Sequence, residues 1–375
     1  LTHLQKWSTQ RCPSWGTFPE TFSARWRRFF PHLVGGLAVC LVIADLYFYH
    51  VPWNAIVDAD AWLTPPQTAQ VVQARAGSTP YRVFSHNVYD TFRAAYRQAQ
   101  GWRGDLAPYV AQREFLQPSL NLIYDVPTAE GYINLVPDCL VALWGNEKQK
   151  GLLDAALIQA GEALAFRPEF AKLLSTYNVR FLITSQPVKD PTLELLGVYG
   201  PHAYLYENPQ ALDRAYLVPQ HTTVDDMPAA LALMRSPDFD PRTTVILFES
   251  PSASFPPVTQ LEGSVEMLNY TANAVTVEVE TNAPGWLVFS DTYYPGWEAT
   301  IDGQTTSIYQ ANGCARAVAV PAGRHRIDFY FRPRTFYVGV LISATSSILF
   351  LVLWRVLKKR EGRRALGSTP TLPGV

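Results

Sequence analysis

The sequence lacks the marks of a self-contained catalytic site. Its seven histidines are scattered, it has no HExxH, and no Cys/His pairs stand at metal-ligand spacing, so no zinc or other tight metal site is expected. The short stretches GVYG, GWRG and PAGR do not make a phosphate-cradling loop, and there is no GxSxG elbow to present a nucleophile. No cofactor is expected. Charge of either sign is not in excess: 31 Lys and Arg against 32 Asp and Glu leave a formal net charge of −1. That balance gives no general electrostatic reason to bind nucleic acid, and any basic patch must be local.

Charge is absent altogether from one long run, Phe336 to Trp354, FYVGVLISATSSILFLVLW. At ~1.5 Å per residue it covers roughly 28 Å, enough to cross the hydrocarbon core of a bilayer. A second run, Leu33 to Tyr49, is shorter and contains Asp45, an expensive carboxylate within a span that would face protein or water, snorkel, or cap a neighbouring helix. Basic residues flank both runs: Arg25, Arg27 and Arg28 before the first, and Arg355, Lys358, Lys359, Arg360, Arg363 and Arg364 after the second. The positive-inside rule then puts both ends in the cytoplasm and residues 50–335 outside. Because the chain begins at Leu1 and its first basic run has no small-residue cleavage site after it, a fragment of a longer membrane protein is expected rather than a secreted one. On this topology Cys139 and Cys314 lie outside. An oxidising compartment would allow them to pair, but they fall in different predicted domains, so free buried thiols are expected.

Pattern divides the rest. The segments are a cytoplasmic stretch at 1–28, a transmembrane helix at 29–49, an irregular extracytoplasmic segment at 50–148, and an α/β domain at 149–250. A β-sandwich at 258–335, a transmembrane helix at 336–354 and a basic cytoplasmic tail at 355–375 follow. In the first outer segment VVQARAGSTPYRVF reads as a helix and then a strand. Helical spacing marks LLDAALIQAGEALAF, PEFAKLLSTYN and DDMPAALALMRS, with strands at VRFLITS, LELLGVYGPHAYLYENP, RAYLVP and TTVILFES. After the Pro-rich ESPSASFPPV the pattern is purely β, with AVTVEVET alternating at period two and WEATIDGQTTSIY a hairpin turning on Asp302-Gly303. The fold class expected is a membrane protein of α+β type, with two transmembrane helices flanking an outer mixed α/β domain and a membrane-proximal antiparallel β-sandwich.

Four stretches taken in order, NVRFLIT, YENPQALDRAYLV, SDTYYPGWEATIDG and VPAGRHRIDFYFRP, the last followed at once by an apolar run, resemble the C-terminal part of the bacterial YfhO-type membrane proteins. The resemblance covers roughly residues 45–354 and is weakest before Asn121. It implies a polytopic protein with more spans upstream and a GT-C-like glycosyltransferase activity. Such an enzyme takes a sugar from a polyprenyl-phosphate carrier and transfers it outside the membrane, for instance to a cell-envelope glycan. The family's catalytic acid is expected in an early outer loop between N-terminal spans, a region expected to be missing here, so no catalytic residue is carried over. The rival expectation is a non-enzymatic, membrane-anchored module that binds glycan or protein.

Candidate binding residues follow from side-chain chemistry. Tyr293, Tyr294 and Trp297 could stack on a sugar ring and Asp291 could accept its hydroxyls; alternatively they form the corner of the sandwich. Arg316, Arg324, Arg326, Arg332 and Arg334 could hold a carrier phosphate or anchor at lipid headgroups. Arg103 and Asp105, in the Gly-flanked loop GWRGD, could line an acceptor groove or form an exposed ion pair worth little. The partners expected are membrane lipid, a polyprenyl-phosphate-linked sugar, an envelope glycan and further spans of the same protein, and not nucleic acid.

Overall fold

The computed structural model describes residues 20–50, 58–86, 107–117, 119–129, 136–144, 157–161, 163–200, 202–251 and 261–366, together with residues 91, 93, 95, 97 and 255. The chain separates into two compact units, one made of residues 1–62 and 92–110, the other of residues 63–91 and 111–375. In the first, helix α1 (Glu20–His50) carries the apolar stretch His32–Tyr49 with its side chains exposed, Asp45 and Cys40 among them. The short helix α2 (Ala59–Leu63) is started by Asp58, whose Oδ1 accepts the amides of Asp60 and Ala61 at 2.8 and 3.2 Å.

The second unit opens with α3 (Gln67–Ala76) and β1 (Arg82–Ser85), the helix and strand read from the sequence. Its first sheet has four strands in the order β1-β4-β6-β5, with β4 at Val179–Thr184, β5 at Glu194–Tyr199 and β6 at Ala203–Glu207. From Phe181 on, alternate residues of β4 serve opposite faces, past an irregularity in the register with β1. Phe181 and Ile183 join Val72, Tyr81, Val83, Phe115 and Leu205 on one side. Leu182 and Val179 join Leu157, Leu164 and Leu174 on the other. Both faces are therefore covered, which explains why Phe181, Leu182 and Ile183 within VRFLIT are apolar in succession rather than alternating with polar residues.

One expected helix is not formed. Residues of LLDAALIQAGEALAF lie in a hairpin, β2 (Leu157–Ala160) and β3 (Ala163–Phe166), that turns at Gly161 with φ +70°. The Ala- and Leu-rich composition favours helix, but burying Leu157 and Leu164 against the four-stranded sheet outweighs a weak local propensity.

Two further sheets share a core. One has five strands in the order β10-β11-β17-β13-β14, the other six in the order β7-β12-β16-β15-β9-β8. Their strands are β7 (Ala215–Val218), β8 (Gln220–Thr223), β9 (Thr244–Leu247), β10 (Gly263–Tyr270), β11 (Ala274–Thr281), β12 (Gly285–Phe289), β13 (Trp297–Ile301), β14 (Gln304–Thr306), β15 (Tyr309–Ala311), β16 (Ala315–Val320) and β17 (Gly323–Phe331). Val275, Val277, Val279, Ile327 and Phe329 from the first meet Leu287, Phe289, Val318 and Val320 from the second. The six-stranded sheet is buried on its other face too, where Trp286, Val288, Val245 and Tyr309 cluster. Its interior strand β12, GWLVF, is accordingly buried at every residue.

The break expected at 250–258 does not divide this sheet, because β7, β8 and β9 from before it pair into the sheet of β12, β15 and β16, with β8 and β9 parallel. The hairpin at Asp302-Gly303 forms as read, with φ +50° and +80° and Ile301 opposite Gln304. Four helices complete the described unit or leave it: α4 (Ala107–Ala111), counted at the boundary of the two units, then α5 (Asp138–Trp144), α6 (Pro168–Thr176) and α7 (Met227–Arg235). Phe170 and Leu173 of α6, Met234 of α7 and Leu143 of α5 pack with Ile246 and Cys314. The chain then runs from β17 straight into α8 (Arg334–Leu366), apolar and exposed over the stretch Arg334–Arg360.

The thiol expectation is corrected. Cys139 of α5 and Cys314, in the turn between β15 and β16, form a disulfide with Cα atoms 5.3 Å apart. The two cysteines lie 175 positions apart and in different segments of the sequence reading, yet α5 packs on the turn that carries Cys314. Opening it releases a long loop in the unfolded chain, and the Cys139→Ser, Cys314→Ser double variant should lose roughly 2–5 kcal/mol by urea unfolding. Alkylation of the purified protein with and without reductant should mark these two thiols only after reduction.

Candidate functional site

SDTYYPGW links β12 to β13, and its first two residues anchor it. The Ser290 amide donates to the Arg214 carbonyl at 2.8 Å and its hydroxyl accepts Arg82 Nη1 at 3.1 Å. Asp291 beside it is the meeting point of three guanidiniums. Its Oδ1 accepts Arg82 Nη2 at 2.7 Å and Arg214 Nη1 at 3.1 Å, and its Oδ2 accepts Arg316 Nη2 at 3.3 Å and the Tyr270 hydroxyl at 3.0 Å. The side chains of Arg214 and Arg316 are 5% and 1% exposed and that of Asp291 is 15%. Three cations on one anion would repel in so enclosed a place, and the carboxylate at their centre offsets that repulsion.

Arg316 is held by more than charge. Its guanidinium lies 4.0 Å from the Trp297 ring centroid, 4.8 Å from that of Phe289 and 5.3 Å from that of Phe329. Its Nε and Nη1 are buried without a hydrogen-bond partner, and the aromatic faces take their place. Burial lowers Arg82 and Arg316 to about 10, with the neighbouring cation Arg214 adding to the effect at Arg82, so both remain charged at neutral pH. Burial alone would raise the Asp291 carboxyl; Arg82, Arg214 and Arg316 outweigh it and hold it below the usual range.

Each candidate residue from the sequence can be placed. Asp291, Tyr293, Tyr294 and Trp297 share the loop; Asp291 has both oxygens engaged, and one face of Trp297 is covered by Arg316. The Tyr293 amide donates to the Cys314 carbonyl at 2.6 Å. Tyr294 is 49% exposed and its ring lies 6.4 Å from that of Phe331. Of the arginines, only Arg316 joins the Asp291 cluster. Arg324 pairs with Glu278 and Arg326 with Asp328 at 3.1 Å, both along β17, while Arg332 lies over the Tyr330 ring at 5.1 Å and 4.0 Å from Glu298. Arg334 opens α8. Arg103 and Asp105 lie outside the described residues.

Sequence reasoning missed Arg82, Arg214 and Tyr270. The only local signal was an arginine at the start of each of two apolar strands, in PYRVF and DRAYLV, where a charge has to find a partner if the strand is buried.

These residues define a β-rich unit whose last strand passes directly into a helix long and apolar enough to cross a membrane. Residues 257–343 match the model of a family described as bacterial membrane protein YfhO, and the match runs from before β10 into α8. Over that stretch the chain is similar to the YfhO-type bacterial membrane proteins. No curated protein and no solved structure matches the chain.

Two outcomes follow from this geometry. Because the folded carboxyl of Asp291 titrates below its unfolded value near ~3.9, its contribution is complete above that pH and is lost as pH falls through the folded value. Acid unfolding of the protein should therefore lose part of its steepness in Asp291→Asn. Trp297→Ala, which uncovers Arg316 and removes the ring packed 5.4 Å from Phe331, should lower unfolding stability by roughly 2–4 kcal/mol.

Proposed function

We propose that this chain is the extracytoplasmic part, with two flanking spans, of a lipid-carrier-dependent glycosyltransferase of YfhO type that acts on a cell-envelope polymer. The observation that carries the reading is the family match over residues 257–343, which covers β10 to β17 of the facing sheets, read as a sandwich, and the start of the apolar helix they lead into. The Cys139–Cys314 disulfide supports placing residues 50–335 outside, since such bonds persist in oxidising compartments.

In this reading the sugar leaves its lipid phosphate as an acceptor hydroxyl attacks the anomeric carbon, and a carboxylate takes the hydroxyl proton. Asp291 is poorly suited to that task, because both oxygens are engaged and its affinity for protons is lowered. Its part is to fix the loop that faces the membrane end of the unit. The outer sheets then shape the acceptor side of the site, with the acid or base on another outer loop, as the resemblance implies.

A second reading, a membrane-anchored module that binds envelope glycan without chemistry, is favoured by the engagement of both Asp291 oxygens with Arg82, Arg214, Arg316 and Tyr270. Membranes containing the full-length protein, supplied with radiolabelled polyprenyl-phosphate sugars, decide between the two. Transfer of label to envelope polymer, lost when the gene is deleted, is expected; no transfer from any carrier sugar, with retained binding of purified envelope glycan, would replace the enzyme by the binding module.

A further inference from the structure

Tyr293–Trp297 is fastened to the foot of α8. The Arg332 amide donates to the Gly296 carbonyl at 2.6 Å, and Trp297 stands opposite Phe331 in the β13–β17 register. Gly296 has φ +110°, and a Cβ there would meet Pro333 Cα at 3.0 Å, so the backbone can come this close only as glycine. The helix starts at once, with the Phe336 amide donating to the Pro333 carbonyl at 3.0 Å. The loop and the start of the apolar run are therefore one local structure.

That places the loop at a definite depth. Two helical rises and one extended step separate Phe336 from Pro333, about 6 Å of chain. One headgroup layer is roughly 5–8 Å thick. If the apolar run fills the hydrocarbon, then Pro333, and Gly296 against it, lie among the headgroups. The exposed side chains at this level suit such a setting: Tyr294, Phe336 and Tyr337 are 49%, 64% and 58% exposed, and Arg332 and Arg334 stand beside them. Amphipathic rings and cations on apolar stems are favoured at the boundary between hydrocarbon and water, where lipid phosphates pair with guanidinium.

We propose that the loop Tyr293–Trp297 is a membrane-contact surface that docks the facing sheets on the phospholipid headgroup layer, with Tyr294 and Pro295 in the layer and Arg332 on its phosphates. The proposal rests on α8 crossing the bilayer. It assigns the exposed ring of Tyr294 to lipid, while the loop's inner residues Asp291 and Trp297 remain structural.

Depth measurement by nitroxide labelling tests it. The full-length protein, with Cys12 and Cys40 replaced by serine, would be reconstituted in vesicles of phosphatidylethanolamine and phosphatidylglycerol. Single labels would be placed at Tyr294→Cys, Pro295→Cys, Gln304→Cys on the far end of β13–β14, and Val340→Cys in α8. Collisions with an aqueous nickel complex at positions 294 and 295 should be severalfold fewer than at 304, and oxygen collisions should be highest at 340. If 340 lies in hydrocarbon but both 294 and 295 are as water-accessible as 304, the loop proposal is overturned and the span stands. If 340 itself is water-accessible, the span fails and the proposal with it. Labels at both 294 and 295 keep the result readable if one variant does not fold.

Discussion

A single carboxylate joins two sheets of the second unit. Asp291 accepts hydrogen bonds from Arg82 at the start of β1, Arg214 just before β7 and Arg316 in β16. Those arginines belong to the edge of the four-stranded sheet and to the six-stranded sheet, so one side chain ties two sheets at a corner. An isolated buried guanidinium is costly, and three in one place would drive the corner apart. With Asp291 present, the same cations become a brace, and Arg316 gains the faces of Trp297, Phe289 and Phe329 as well.

The turn that carries Cys314 is fixed in a related way, by polar groups satisfied inside the core. Asn312 accepts the Ile246 amide at 2.9 Å through its side chain and donates to the Tyr216 hydroxyl at 3.2 Å. The Tyr177 hydroxyl donates to the Asn312 carbonyl at 2.5 Å and accepts the Cys314 amide at 3.0 Å. Burial raises both tyrosines, so they stay neutral over the whole working range, Tyr177 as donor and acceptor and Tyr216 as acceptor. The disulfide then closes a turn already positioned by α6 and β9. Loop 290–297 is seated between this turn and the foot of α8, which is how a brace in the core comes to set the position of a surface loop.

Local patterning made much of the fold legible. Period-two alternation in AVTVEVET, the Asp302-Gly303 turn and the uncharged run Phe336–Trp354 each declare themselves within a few residues, and the structure contains them as a strand, a hairpin and an exposed apolar helix. The stretch from Leu157 to Phe166 was misread because alanine and leucine suit a helix when seen alone, and only the sheet they cover makes them a hairpin. The Asp291 site was half legible. Its loop stood out by composition, but Arg82 lies 209 residues away, Arg214 77 and Arg316 25, and nothing in a local pattern pairs charges over such distances. The same distance concealed the disulfide.

The central claim, that one anion bridges three buried cations and thereby locks the corner, is tested most directly by urea unfolding of the purified, detergent-solubilised protein and its Asp291→Asn variant, beside Arg82→Met, Arg214→Met and Arg316→Met. Loss of the carboxylate leaves every cation unpaired, so Asp291→Asn should cost about 3–5 kcal/mol and more than any single arginine replacement. An Asp291→Asn protein within about 0.5 kcal/mol of the parent, the usual range for surface changes, would contradict the account.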